Sequence, residues 1–264
     1  MSVFLPLLIV GLALAGLGFY VYKDLHKSSV TPSSPVASKD SLTIDPANSG
    51  SGYIVKMLDD KPAAVTQKPL PLPNLNLPVG NNAHLDTAFF NAAASNIRDL
   101  SAALKKNPDN EELWLRLGIQ RKMLGDYQVV AGILNYVILE WPADYVPYTN
   151  LADVYQFYLK NYPLAEKNLL KVIALKPDNP QTYENLYNLY TGPYTEKKAN
   201  ALGTLLQGLT NNPTSIDLMV YIARYYKGVG DMASAATYYQ KAISEAKSEH
   251  NGNLELSLKI EAAQ

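Results

Sequence analysis

The sequence predicts an all-α protein: helical hairpins stacked into a solenoid, behind an N-terminal membrane anchor and a disordered linker. Three observations predict it. Glu111–Pro142 reads as two amphipathic helices joined by a tight turn. Proline and aromatic markers then recur at a nearly fixed interval along the chain. Val3–Tyr22 holds 20 residues without a charge.

The apolar run comes first. At about 1.5 Å per residue its helix spans roughly 30 Å, the hydrocarbon thickness of a bilayer. A cleaved signal peptide, with Ala13-Leu14-Ala15 as the cut, fits less well. No basic residue precedes the run, and it continues through Phe19-Tyr20-Val21-Tyr22. Residues 3–22 are therefore expected to be a retained single-pass anchor. Lys23 and Lys27 favour a cytoplasmic C-terminal side, whereas the Ser/Thr/Pro-rich stretch after them suits an extracytoplasmic one. The sequence leaves both open.

Residues 23–85 form the linker. Ser28–Leu85 carries 8 of the 17 prolines and balances four lysines with four aspartates. Low hydrophobicity with Ser and Pro predicts disorder. Lys68–Pro78, KPLPLPNLNLP, is expected to be extended, close to polyproline II. It serves either as a stiff spacer or as a segment whose leucines dock on the solenoid or a partner. Tyr53–Leu58 is the linker's apolar cluster.

The helical domain is expected over 86–264. Asp86 is an N-cap for one long helix over Asp86–Lys105, with Phe89, Phe90, Ala93, Ile97, Leu100 and Leu104 as its stripe. In Glu111–Pro142, Trp114, Leu117 and Gly118 share one face. Gly125-Asp126 breaks the run, and Tyr127, Val130, Leu134 and Val137 start the second helix. The closing prolines are Pro108, Pro142, Pro177 and Pro213, separated by 34, 35 and 36 residues. Trp114, Tyr148, Tyr183 and Met219 keep the same three intervals. The drift implies one extra residue near Leu159-Lys160 and two within Thr191–Glu196. W-x2-L-G, then G-D-Y, then proline resembles the tetratricopeptide repeat (TPR). The repeats cover about 111–143, 144–178, 179–214 and 215–249. Gly118, Ala152 and Ala223 let the two helices of a unit approach closely, and Tyr187 at that position predicts a wider third pair. A short closing helix is expected to cover the final hydrophobic edge with Leu254, Leu256, Leu258 and Ile260.

Composition narrows the chemistry. A net charge of −1 gives no electrostatic case for nucleic acid, and the absence of cysteine excludes disulfides and thiolate metal sites. His26, His84 and His250 have no second ligand at metal spacing, so no metal is expected. Neither a phosphate-binding glycine loop nor a Gly-x-Ser-x-Gly elbow occurs. No catalytic residue, cofactor or enzymatic activity is expected.

The resemblance implies a right-handed superhelix whose concave face is lined by the first helix of each repeat. On that face it would put Leu115, Ile119 and Lys122, then Thr149, Asp153 and Gln156, then Glu184 and Asn188, then Val220, Arg224 and Lys227. This would be a groove for an extended peptide or a partner helix. The carboxylate clamp of chaperone-binding members is not matched, because Leu115 and Ile119 stand where a lysine and an asparagine would be. The family also hosts assembly factors for envelope machines. Two readings follow: a membrane-anchored protein-interaction scaffold, or a permanent non-catalytic subunit of a larger membrane complex.

Overall fold

Residues 71–263 are described by the computed structural model. The expected anchor and the linker up to residue 70 lie outside the described residues. Among the described residues there are ten α-helices and no strand, and no helix is long and apolar enough to cross a membrane.

Helix α1 (Thr87–Lys106) begins where Asp86 Oδ1 accepts from the amides of Ala88 and Phe89, both at 3.0 Å. Four hairpins follow. Helices α2 (Glu111–Met123) and α3 (Tyr127–Glu140) make the first. In the second, α4 (Val146–Asp153) runs into a π-helical turn, Val154–Tyr158, before α5 (Tyr162–Leu175). In the third, α6 (Pro180–Thr191) is followed by a 3₁₀ turn, Thr195–Asn200, and α7 (Ala201–Asn211). The fourth is α8 (Ile216–Gly228) and α9 (Met232–Ser248), and α10 (Gly252–Ala263) closes the series. Each hairpin packs on the next through α3/α4, α5/α6, α7/α8 and α9/α10. Four of these starts are capped by polar side chains: Asn110, Asn161, Ser215 and Asp231 each accept an amide of the following turn.

The two repeat markers prove to be one device. The Trp114 indole N–H donates to the Pro108 carbonyl at 2.8 Å. The hydroxyls of Tyr148 and Tyr183 donate to Pro142 and Pro177 at 3.4 and 3.0 Å. A ring buried between helices thus finds its polar partner six residues back, which holds proline and aromatic in one register.

The insertions are absorbed locally. The extra residue of the second unit sits in the π turn: Leu159 N donates to Val154 O, one residue further back than in an α-helix. Lys160 then takes φ +54, where the matching turn positions in the first and fourth units are Gly125 and Gly230, at +80 and +84. In the third unit, Gly192 to Asn200 takes up the surplus as turn and 3₁₀ helix.

Two expectations change. The third hairpin's close contact is made at Gly208, where an added Cβ would lie 2.7 Å from Tyr183 Cγ. Tyr187 instead reaches toward the fourth unit and meets Tyr221 edge-on, with ring centroids 5.5 Å apart. The second correction concerns the linker, whose last part, residues 71–85, is packed. Leu75, Val79 and Leu85 sit against the core of α1–α3. Ala83 N donates to Leu124 O at 3.0 Å, and Lys105 Nζ to Asn76 Oδ1 at 2.6 Å. Of this stretch, Leu75 docks on the solenoid, whereas Leu72 is exposed.

Of the closing helix, Leu258 is buried with Met219, Val220, Ala242, Ile243 and Ala246, and Leu254 packs beside them. Leu256 and Ile260 remain exposed. An alternating pattern cannot bring four side chains to one helical face.

Candidate functional site

The first helices of consecutive units set their side chains beside one another, and bridges cross three junctions. Lys122 of α2 is ion-paired with Asp153 of α4. Asn188 of α6 donates to the Tyr221 hydroxyl of α8 at 3.4 Å. Arg224 of α8 holds Glu261 of α10 in a two-pronged pair, at 2.5 and 2.9 Å. Lys227 Nζ adds a bond to the Glu261 carbonyl at 3.4 Å.

The eleven residues predicted for this face divide into two groups. Ile119, Lys122, Thr149, Asp153, Asn188, Arg224 and Lys227 are at least partly exposed. Leu115, Gln156, Glu184 and Val220 are buried, so they are not offered to a partner. The reason is the neighbouring unit: Leu115 joins the core of α1–α3, and Val220 is covered by the closing helix through Leu258. Thr149 spends its hydroxyl on the Tyr145 carbonyl, 3.1 Å away.

The sequence reading missed an aromatic cluster at the first junction. Tyr127 stacks on Tyr158, with ring centroids 4.0 Å apart and planes 22° apart. Lys122 Nζ lies 5.4 Å from the centroid of the Tyr158 ring, within cation–π range. Phe157 and Tyr158 are exposed on the π turn. The extra residue in that turn is the one sequence signal that pointed there. The closing helix fills part of the face at Arg224: Glu261 takes the guanidinium, and the Tyr239 hydroxyl donates to Glu261 Oε1 at 2.9 Å.

Two carboxyls near this face are held toward their neutral forms. Burial, then the nearby Asp217 charge, pushes Glu184 from 4.5 up to about 7, with a Gln181 hydrogen bond working the other way. Glu111 is raised well above the usual carboxylate range, by burial first and then by Asp144 beside it. A raised folded-state value favours folding at low pH, and that contribution is lost as pH rises through it. Thermal stability is therefore expected to fall between pH 4.5 and about 7. Glu184→Gln, which cannot ionise, is expected to flatten that fall. Parallel melting curves for the parent and Glu184→Gln across this range would contradict the assignment.

Among the described residues no group of three or more His, Asp or Glu side chains is placed to hold a metal ion. No family model matches the chain, and no curated protein matches it. Among solved structures it is similar to MamA, at 20% identity over 63% of this chain and 98% of that one, with a TM-score of 0.49. It is also similar to PilF of Pseudomonas aeruginosa, at 15% identity over 66% and 88% of the two chains, with a TM-score of 0.46. A third is TTC0263, a thermophilic TPR protein of Thermus thermophilus, at 18% identity over 67% and 94%, with a TM-score of 0.42.

Proposed function

We propose that the chain is a membrane-tethered protein-interaction scaffold. It holds an extended peptide or a partner helix along the row of first helices and keeps that partner near the bilayer. The observation that carries this reading is the row itself. Lys122, Asp153 and Tyr158 meet at the first junction, Asn188 and Tyr221 meet at the third, and Arg224 lies one turn beyond Tyr221 on the same helix. Charged, amide and aromatic groups alternate along it, which suits a polypeptide with mixed side chains. Tethering rests on the uncharged run Val3–Tyr22 and acts by raising the effective concentration of whatever is bound. A role in assembling an envelope complex, which the family resemblance implies, belongs to the same reading.

Asp153→Lys and Arg224→Glu test the site. Each breaks one partly exposed pair, worth at most about 1 kcal/mol, so the fold is expected to survive. A partner found by proximity labelling from the C-terminus is expected to bind each variant at least about tenfold more weakly, a change of roughly 1.4 kcal/mol. Parent-like affinity in both would move the site off this face. A partner that purifies with the chain in one fixed ratio, and never exchanges, would favour the permanent-subunit reading. Tethering is tested separately: the chain should resist alkaline extraction from membranes, and deletion of residues 3–22 should release it.

A further inference from the structure

We propose a second peptide seat, distinct from the row of first helices. It is the cavity between the packed segment Pro71–Leu77 and helices α1–α3, and it takes an extended, leucine-bearing segment of a partner protein. The proposal rests on the protein-interaction reading and names one partner chemistry for it.

The cavity has a volume of about 350 Å³, and Leu75, Leu77, Leu117, Ile133, Tyr136 and Leu139 form much of its wall. That size and mostly apolar lining suit a bound group rather than a packing defect. Three features of the wall have no explanation among the described residues. The Ser101 hydroxyl is buried there with no hydrogen-bond partner, a state that folded proteins avoid. Gly132 lies in the middle of α3, where glycine disfavours the helix. An added Cβ at Gly132 would meet nothing within 4 Å, so no contact among the described residues requires its absence. Leu139, 48% exposed, stands on the wall as a large apolar side chain facing water.

An extended polypeptide answers all three. Its backbone supplies a partner for the Ser101 hydroxyl. The bare Gly132 lets a main chain approach the helix closely. An aliphatic side chain fills the apolar space and covers Leu139. The adjoining interface already works this way: Arg121 donates to the carbonyls of Leu77 and Pro78, both at 2.7 Å, while Leu75 and Val79 pack inward. The cavity continues that interface by one more segment. An acidic ligand fits less well, because the guanidinium on the wall is already held by two carbonyls and Asp126.

The experiment is selection of peptides from a random displayed library on the purified full-length chain. The retained peptides are then titrated against three variants. Gly132→Leu fills the cavity from an open position, Leu139→Glu charges its edge, and Asp153→Lys alters the row of first helices. The expected peptides carry aliphatic residues, lose at least about tenfold in affinity for Gly132→Leu and Leu139→Glu, and bind Asp153→Lys like the parent. Peptides that bind both cavity variants like the parent overturn this proposal and leave the scaffold reading standing. Retention of no peptide at all overturns both.

Discussion

Replacing Arg121 with alanine is expected to lower the unfolding free energy by about 3–5 kcal/mol, the usual cost of breaking a buried ion pair from one side. Arg121 and Asp126 are 3% and 8% exposed, and they pair at 2.8 Å. The guanidinium also satisfies the carbonyls of Leu77 and Pro78. Without it those two acceptors lose their donor, and Asp126 keeps only the Asn82 amide at 2.6 Å. The effect is spatially specific. Residues 71–85 lose their main polar anchor, so they should become open to proteolysis before the helices do. Denaturant unfolding of the full chain, followed by mapping of early protease cuts, checks both halves. An unchanged midpoint, or first cuts within the hairpins, would show that the segment is held by its leucines alone.

Gly208→Ala is the second large effect, expected to destabilise by about 1–3 kcal/mol through overpacking. The new methyl would lie 2.7 and 2.8 Å from Tyr183 Cγ and Cβ, and 3.2 Å from Leu218. Tyr183 cannot yield easily. It is fully buried, and its hydroxyl is fixed by Pro177 on one side and by the Asn211 amide, 2.6 Å away, on the other. Gly132→Ala is the control, because open space surrounds that position. There the same substitution should stabilise by up to about 1 kcal/mol through helix propensity alone. Melting temperatures that move in opposite directions are the expected result. A gain at both positions would mean that the third hairpin opens without cost.

What could be read from the sequence was whatever repeats along one helix. The hairpin period, the N-cap at Asp86 and the turn at Gly125 follow from local patterns, and the structure keeps them. What depends on a neighbouring element was not legible. Leu115 and Val220 share a helical face with Lys122 and Arg224, and only the adjoining unit decides which of them is covered. The π turn has no residue signature, so the count of residues gave the insertion while its location was read a few positions late. Arg121 did leave a mark. It falls seven residues after Trp114 and three after Gly118, on the stripe that must be buried. A charge on that stripe requires a partner, and Asp126 lies five residues on.

The bond from each aromatic ring to the proline carbonyl six residues earlier gives the chain natural seams. Residues 143–177 lie between two equivalent ones. With that span excised, Tyr183 would stand six residues after Pro142 and could close on its carbonyl as it now does on Pro177. That joint would survive the excision, while the Lys122–Asp153 and Tyr127–Tyr158 contacts of the first junction would go with the excised link.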